Sequence, residues 1–178
     1  MPSRRPLARK PGYTSLIHEE NVSKADPRLR AIGAIDEASA SLSLAKAFLS
    51  GEPEKAALGT CQEHLALVMA GLAGWKQTDY HENLVQALAW LEAFLTELEQ
   101  SVEQPGKFLH PGQTPAEGAL DLARAVVRRA ERETVELAQS SFGDEVPDDA
   151  LTYLNRLSSL VFLLLTAQSN EERSIQAE

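Results

Sequence analysis

Apolar residues recur every three or four positions through five long intervals of the chain, which is the spacing of one face of an α-helix. Glycine and proline are concentrated in the first dozen residues and in the short connections between these intervals. The intervals predict helices from Asp26-Pro27 to Gly51, about Pro53–Trp75, about Glu82–Gln100, from Thr114 onward, and about Asp148–Gln168. Strand-like alternation is sparse. The pattern therefore predicts an all-α fold, a five-helix up-and-down bundle.

Two of the predicted helices have capping signals at their starts. Asp26 precedes Pro27, a typical N-cap followed by proline at the first helical position. The sequence Thr114-Pro115-Ala116-Glu117 is a capping box, in which the Thr114 hydroxyl accepts from the Glu117 amide and the Glu117 carboxylate returns to the Thr114 amide. These signals fix where the first and fourth helices begin.

The fifth interval is apolar on nearly every side, with Asn155, Arg156, Ser158 and Ser159 as exceptions. This composition is typical of a central helix buried by its neighbours. Its longest strongly apolar stretch, Leu160–Ala167, is far shorter than the roughly 20 residues that cross a bilayer, so we expect no transmembrane helix.

The chain of 178 residues has the size of one domain, and its net charge of -9 argues against nucleic acid as a partner. The first ten residues are basic but lack an apolar segment, which indicates an arm and no secretory signal. Cys61 is the one cysteine and has no CxxC partner, so we expect a buried thiol in a reducing compartment, with cytoplasm as the location.

The fourth helix has a cationic face. Arg124, Arg128, Glu131 and Arg132 fall at i, i+4, i+7 and i+8, and therefore point the same way. Guanidinium groups offer paired donors suited to phosphate, and Glu131 could hold one of them in place. A solvated face with intrahelical ion pairs explains the same pattern, and both interpretations stay open.

Three polar residues on other helices raise a related question. An amide such as Asn155 within an apolar segment needs a hydrogen-bond partner, either to tie helices together or to contact a ligand. Asp36 and Glu37 lie near the middle of the first helix, and a buried carboxylate there would need an arginine of the fourth helix.

Several catalytic classes are unsupported by the sequence. No histidine lies three residues after a glutamate, so the Glu-x-x-His signature of di-iron bundles is absent. No HExxH, Walker A or GxSxG pattern occurs. We therefore predict neither a protein-held metal nor a nucleophilic side chain.

Three blocks in order resemble the PduO-type cobalamin adenosyltransferases. They are Gly12–Glu37 (GYTSLIHEENVSKADPRLRAIGAIDE), Phe108–Arg132 (FLHPGQTPAEGALDLARAVVRRAER) and Tyr153–Phe162 (YLNRLSSLVF). The RRAER and LNRLS strings are the specific part of this resemblance. Together the blocks cover nearly all of the chain outside the second and third helices.

The resemblance implies a ferritin-like five-helix bundle that forms a homotrimer with active sites between subunits. It implies transfer of the 5′-deoxyadenosyl group of ATP to cob(I)alamin, with release of triphosphate and with Mg²⁺ accompanying ATP. The cobalt(I) of the substrate is the nucleophile, so the protein contributes positioning and electrostatics. A cobalamin reductase is a possible partner, whereas nucleic acid and membrane are not expected.

The resemblance also implies roles for individual residues. An N-terminal ATP segment lies in an arm of residues 1–25, ahead of a bundle of residues 26–170 and a tail of residues 171–178. Arg132 matches the arginine that offsets charge on departing triphosphate, Asp36 the acid that pairs with Arg128 across subunits, and Phe108 the aromatic that closes the lower corrin face. The residues that match ATP contacts are Gly12, Thr14, Ser15, Lys24, Arg128, Arg129, Glu131, Arg132 and Asn155.

The chain departs from the family pattern near this site. Ala8-Arg9-Lys10 stands where the family has Thr-Gly-Asp, and the other departures are at Gln113, Asp121, Ser159 and Thr166. Two interpretations follow: an active corrinoid adenosyltransferase, or a catalytically inactive paralogue that binds a corrinoid, a nucleotide or a partner protein.

Overall fold

The computed structural model describes residues 10–75, 78–103 and 109–175, with side chains through Asn170. Within these residues, five α-helices confirm the predicted fold class. They are α1 (Pro27–Phe48), α2 (Glu52–Leu72), α3 (Tyr80–Ser101), α4 (Pro115–Ala138) and α5 (Asp148–Ile175). A short hairpin of β1 (Tyr13–Thr14) and β2 (Val22–Ser23) precedes them, and a 3-10 turn at Gly143–Glu145 connects α4 to α5.

The helices pack in a closed ring, in which α3 and α5 run parallel to each other while α1 and α4 run antiparallel. The main packing contacts join α1 to α2, α2 to α3, α3 to α5, α5 to α4, and α4 back to α1. On the α4–α5 contact, Glu131 pairs with Asn155 and Glu117 with Ser169, so these helices are antiparallel. The ring encloses a core of fully buried apolar side chains, among them Leu42, Leu65 and Leu91.

Several helix ends differ from the predicted ones. Gly51 does not terminate α1, which ends at Phe48; instead, Gly51 is the N-cap of α2. The second helix ends at Leu72, before Gly74, whose φ of +96° is easily adopted by glycine. The fifth helix continues to Ile175, seven residues beyond the predicted Gln168. Apolar periodicity defines the packed part of a helix better than its solvated ends.

Both predicted N-caps are present. Asp26 Oδ1 accepts from the Arg28 amide at 2.9 Å, and Thr114 Oγ1 accepts from the Glu117 amide at 3.2 Å. The Glu117 carboxylate also returns to the backbone, accepting from the amides of Gly112 (3.0 Å) and Gln113 (2.8 Å). The amide of Thr114, the partner predicted by the capping box, contributes to the lowered pKa of Glu117 as well. The turn has this shape because Gly112 adopts a φ of +108°.

The N-terminal hairpin was not predicted, because strands of two residues are too short to show a period. Tyr13 pairs with Ser23 and Thr14 with Val22 in antiparallel register. Leu16 and Val22 are buried, and the Ile17 amide donates to the carbonyl of Ala73 at 3.0 Å. The hairpin is therefore packed against the end of α2.

Helix α5 is the core helix that its composition indicates. Among the residues described, its segment Asp148–Asn170 has the length and composition of a membrane span, which the shorter Leu160–Ala167 stretch did not suggest. Because 61% of an 18-residue apolar stretch within this segment is buried inside the bundle, we interpret it as a core helix. Cys61 is buried, as predicted.

Candidate functional site

The cationic face of α4 lies between the contacts that this helix makes with its neighbours. On the side of α1, Arg129 forms an ion pair with Glu37. On the side of α5, Glu131 Oε1 accepts from Asn155 Nδ2 at 2.8 Å. Arg128 and Arg132 project between these two sides, are exposed, and have no hydrogen-bond or ion-pair partner among the described residues. Two guanidinium groups are therefore left without a partner by the part of the chain that the structure describes.

These contacts refine the sequence predictions for this face. Glu131 holds Asn155 and not an arginine, whereas we expected it to fix a guanidinium. Asn155 has the partner that its setting in an apolar helix demanded, although its side chain is exposed in the single chain. Arg129 is directed to α1 and is engaged by Glu37, which places it apart from Arg128 and Arg132.

A groove of about 290 Å³ lies along α5 between α3 and α4. Its lining residues are Glu99, Arg124, Arg128, Arg156, Ser158, Ser159, Phe162 and Leu163. The guanidinium of Arg156 makes paired hydrogen bonds to both carboxylate oxygens of Glu92, at 2.6 and 2.8 Å, and this raises the pKa of Arg156. Arg124 is similarly held by Asp121 at 2.8 Å. Of the arginines that line the groove, Arg128 is therefore the one without an acidic partner in the described structure.

Arg156 and Glu92 were not assigned to a site from the sequence, whereas Arg124 was part of the predicted cationic face. The available signal was an arginine beside Asn155 in an otherwise apolar helix, which demands a partner. The partner is 64 residues away on α3, and spacing along the chain gives no indication of that contact.

The predicted ATP segment forms the hairpin and its flanks. Gly12 has a φ of +82°, and its carbonyl accepts from the Lys24 amide at 2.8 Å. Thr14 is partly buried, whereas Ser15 and Lys24 are exposed. The hairpin thus presents one ammonium and two hydroxyl side chains beside a backbone turn that only glycine adopts without strain.

The structure does not bring the hairpin and the α4–α5 residues into one site within a single chain. The groove that contains Arg128 is lined by residues of α3, α4 and α5, whereas the described contacts of the hairpin lie at the end of α2 and the start of α1. Asp36 is also exposed on α1, with no partner among the residues described, and it does not pair with Arg128 of its own chain. The candidate site is therefore divided into two halves.

The positions that depart from the family pattern differ in their location and in their contacts. Ser159 lines the groove, and Asp121 holds Arg124. Thr166 is fully buried and donates to the carbonyl of Phe162 at 2.9 Å, while the Gln113 amide donates to Glu117. Lys10 places its ammonium 4.1 Å from the ring centre of Tyr13. Phe108, Ala8 and Arg9 lie outside the described residues.

No group of three or more histidine, cysteine, aspartate or glutamate side chains that could hold a metal ion occurs in the described part of the chain. What the site offers is cationic and amide donors. Donors of this kind suit a ligand with phosphate oxygens.

Comparison with known proteins identifies the family. The sequence model of the cobalamin adenosyltransferase family matches residues 9–167. The chain is 33% identical over 163 residues to the corrinoid adenosyltransferase PduO of Salmonella typhimurium, covering 90% of this chain and 48% of that protein. It is 32% identical over 155 residues to the corrinoid adenosyltransferase of Bacillus subtilis, covering 85% of this chain and 78% of that protein.

A solved structure has the same fold. A variant of the PduO-type ATP:corrinoid adenosyltransferase from Lactobacillus reuteri, complexed with cobalamin and ATP, superposes with a TM-score of 0.77 at 28% identity. The match covers 91% of each chain. This chain spans about half the length of the PduO proteins that it matches in Salmonella typhimurium and Citrobacter freundii. The chain belongs to the cobalamin adenosyltransferase family.

Proposed function

We propose that the protein transfers the 5′-deoxyadenosyl group of ATP to cob(I)alamin, giving adenosylcobalamin and triphosphate. Family membership supports this reaction, and the related Lactobacillus reuteri enzyme binds both cobalamin and ATP. The observation on which the proposal depends is the pair Arg128 and Arg132, exposed on α4 and left without acidic partners by the described part of the chain. Uncommitted guanidinium groups are suited to the oxygens of a triphosphate.

The chemistry needs no nucleophilic side chain. The electron pair of cobalt(I) forms the bond to C5′ of ATP, and the bond from C5′ to the triphosphate oxygen breaks. Triphosphate leaves with that electron pair, so negative charge increases on the departing oxygen. Arg132 offsets this charge, while Arg128, Asn155 and Glu131 orient the nucleotide.

Mg²⁺ enters as a companion of the nucleotide. Bound together with ATP, Mg²⁺ would neutralise part of the charge on the phosphate oxygens. Gly12, Thr14, Ser15 and Lys24 meet the same phosphates from the hairpin, where Lys24 contributes a further positive charge.

We propose a homotrimer in which each site combines the hairpin of one subunit with α4 and α5 of the next. The separation of the two halves within one chain supports this arrangement. Exposed Asp36 then pairs with Arg128 of the neighbour and holds the interface beside the site. The five donors of the Arg128 guanidinium allow it to meet both Asp36 and the nucleotide. Phe108 closes the lower face of the corrin.

The reaction needs cob(I)alamin, a strong reductant, and therefore a supply of electrons and a reducing compartment. A cobalamin reductase partner and a cytoplasmic location meet this requirement. The buried Cys61 is compatible with such surroundings.

A second candidate is a catalytically inactive paralogue that binds a corrinoid, a nucleotide or a partner protein. Its support is the Asp121–Arg124 pair beside the groove, together with uncharged Ser159 in its lining, at two positions where the family pattern differs. Because Asp121 neutralises Arg124 and Ser159 is uncharged, the groove has fewer unpaired charges available to bind a ligand.

Calorimetric titration with Mg²⁺-ATP and then with cobalamin, followed by an anaerobic assay with reduced cobalamin, separates the two candidates. The transferase binds both ligands and converts cob(I)alamin to a light-sensitive alkylcobalamin. Binding without conversion under strong reducing conditions identifies the paralogue and rejects the proposed reaction.

A further inference from the structure

Arg28 contacts three separate parts of the chain near the N-terminal end of α1. Its Nη2 lies 2.8 Å from Glu19 Oε2, in the loop between β1 and β2, and 2.9 Å from Asp26 Oδ2, in the N-cap of α1. Its Nε donates to Asp26 Oδ1 at 3.0 Å. The guanidinium lies 4.5 Å from the ring centre of Phe142, in the connection between α4 and α5. Only 11% of the side chain is exposed.

This arrangement depends on the shape of the arginine side chain. The planar guanidinium donates to two carboxylates in its plane and stacks on an aromatic ring through its face. A lysine ammonium at the same position could meet one carboxylate but could not make the paired contact with Asp26 and also stack on Phe142. Arg28 therefore joins the hairpin, α1 and the α4–α5 connection at one point.

The other described contacts of the hairpin hold it against the end of α2. The Ile17 amide donates to the carbonyl of Ala73, and buried Leu16 and Val22 anchor the loop to the end of α2. Neither contact connects the hairpin to α4. Arg28 provides the described link, through Phe142, to the C-terminal end of α4 in the same chain, and so sets how the hairpin is held on the body of its own subunit.

We propose that Arg28 is a positioning residue of the nucleotide site, which orients the segment from Gly12 to Lys24 relative to α1 and α4. The inference rests on the proposed function, because that segment carries the residues proposed to meet ATP. Arg28 is itself largely covered by its three partners and does not contact the nucleotide. Its removal therefore loosens the segment without removing any ligand of ATP.

Hydrogen exchange tests the positioning independently of catalysis. In the wild-type protein, the Leu16 amide donates to Glu19 and the Lys24 amide to Gly12, so we expect both to be protected from exchange. In Arg28→Ala we expect their exchange to accelerate about tenfold, with a smaller increase in Arg28→Lys. The matched control is Arg30→Ala, which removes an exposed arginine two residues away that pairs with Glu133 and Glu136 and should leave both rates unchanged.

Steady-state kinetics test the consequence for the site. Arg28→Ala should raise KM for ATP about tenfold and leave KM for cobalamin unchanged, with partial recovery in Arg28→Lys. If Arg28→Ala lowers the melting temperature but leaves the exchange rates and KM for ATP unchanged, Arg28 contributes only to stability and the inference is overturned. If the wild-type protein shows no turnover, the proposed reaction fails, and the calorimetric Kd for ATP replaces KM in the same comparison. Failure of the wild-type protein to bind ATP overturns this inference as well.

Discussion

Asn155 Nδ2 donates a hydrogen bond of 2.8 Å to Glu131 Oε1 and thereby joins α5 to α4 beside Arg132. The Asn155 side chain is exposed, so the bond contributes little to the stability of the bundle. Its effect is to fix the orientation of an amide and a carboxylate next to the uncommitted guanidinium groups. Substitution of Asn155 can therefore distinguish a role in nucleotide binding from a role in folding.

Replacement of Asn155 by alanine should weaken nucleotide binding with little loss of stability. We expect KM for ATP to rise about tenfold, which corresponds to the loss of one good hydrogen bond, while the free energy of unfolding falls by less than about 1 kcal/mol. Initial rates at varied ATP and urea unfolding measure the two quantities. A large loss of stability with unchanged KM would instead assign Asn155 to the fold.

Arg132→Lys should reduce kcat more than it changes KM. Lysine retains the positive charge but lacks the planar pair of N–H donors that can hydrogen-bond to the triphosphate oxygens as their negative charge increases. We therefore expect kcat to fall about 100-fold. Single-turnover rates under anaerobic conditions give the comparison. Arg30→Lys is the control, because Arg30 is another exposed helical arginine and lies outside the proposed site. Equal kcat in Arg132→Lys and wild type would remove Arg132 from the mechanism.

The proposed pair between Asp36 and Arg128 of the neighbouring subunit predicts complementation between variants. Asp36→Ala and Arg128→Ala should each lose most activity when alone. In trimers assembled from equal amounts of both, about one quarter of the sites combine an intact Asp36 with an intact Arg128 and should regain activity.

The control for this mixing experiment is the double variant, which carries both substitutions in one chain and regains nothing on mixing with itself. Sedimentation of each sample establishes that all assemble equally. Full activity in either single variant, or mixed trimers no more active than their parents, contradicts a pair formed across subunits.

Glu117 makes the stability of the fold dependent on pH. Its buried carboxylate accepts from Gly112, Gln113 and the Ser169 hydroxyl, which lies 2.8 Å away. Burial alone would raise the pKa of Glu117, but these hydrogen bonds outweigh it and hold the pKa below the ordinary value of 4.5. The ionised carboxylate therefore stabilises the folded state above pH 4.5, and this contribution is lost as the pH falls through the lowered pKa.

Glu117→Ala should lower the free energy of unfolding at neutral pH by about 2–3 kcal/mol, because a buried carboxylate with three hydrogen bonds is removed and the buried Ser169 hydroxyl loses its acceptor. Glu117→Gln keeps the shape and should be destabilised less. Urea unfolding between pH 7 and pH 3 checks both variants, and the stability difference from wild type should shrink below pH 4.5. A difference that is the same at every pH would show that ionised Glu117 does not stabilise the fold.

The fold was predictable because each helix buries one face against a common core, and that burial is recorded in the sequence as apolar periodicity. Helix ends were less predictable, since Gly51 can either terminate one helix or begin the next. The hairpin was missed because its two-residue strands rely on Leu16, Val22 and the carbonyl of Ala73, far along the chain.

The cationic face of α4 was also predictable, because residues spaced by four share a helix face whatever surrounds them. Arg129, five residues after Arg124, is turned away from that face, and its ion pair with Glu37 agrees with this geometry. The pairing of Arg156 with Glu92 depends on which helices are neighbours in the bundle, and the sequence pattern alone does not specify this.

The most direct test of the account is the product balance of the wild-type protein supplied with Mg²⁺-ATP and chemically reduced cob(I)alamin without oxygen. Chromatography quantifies adenosylcobalamin, and ion-exchange analysis quantifies triphosphate. The account predicts one triphosphate for each adenosylcobalamin, with both products absent when ATP is omitted. ATP binding without either product, or release of phosphate and pyrophosphate with no cobalt–carbon bond formed, would contradict it.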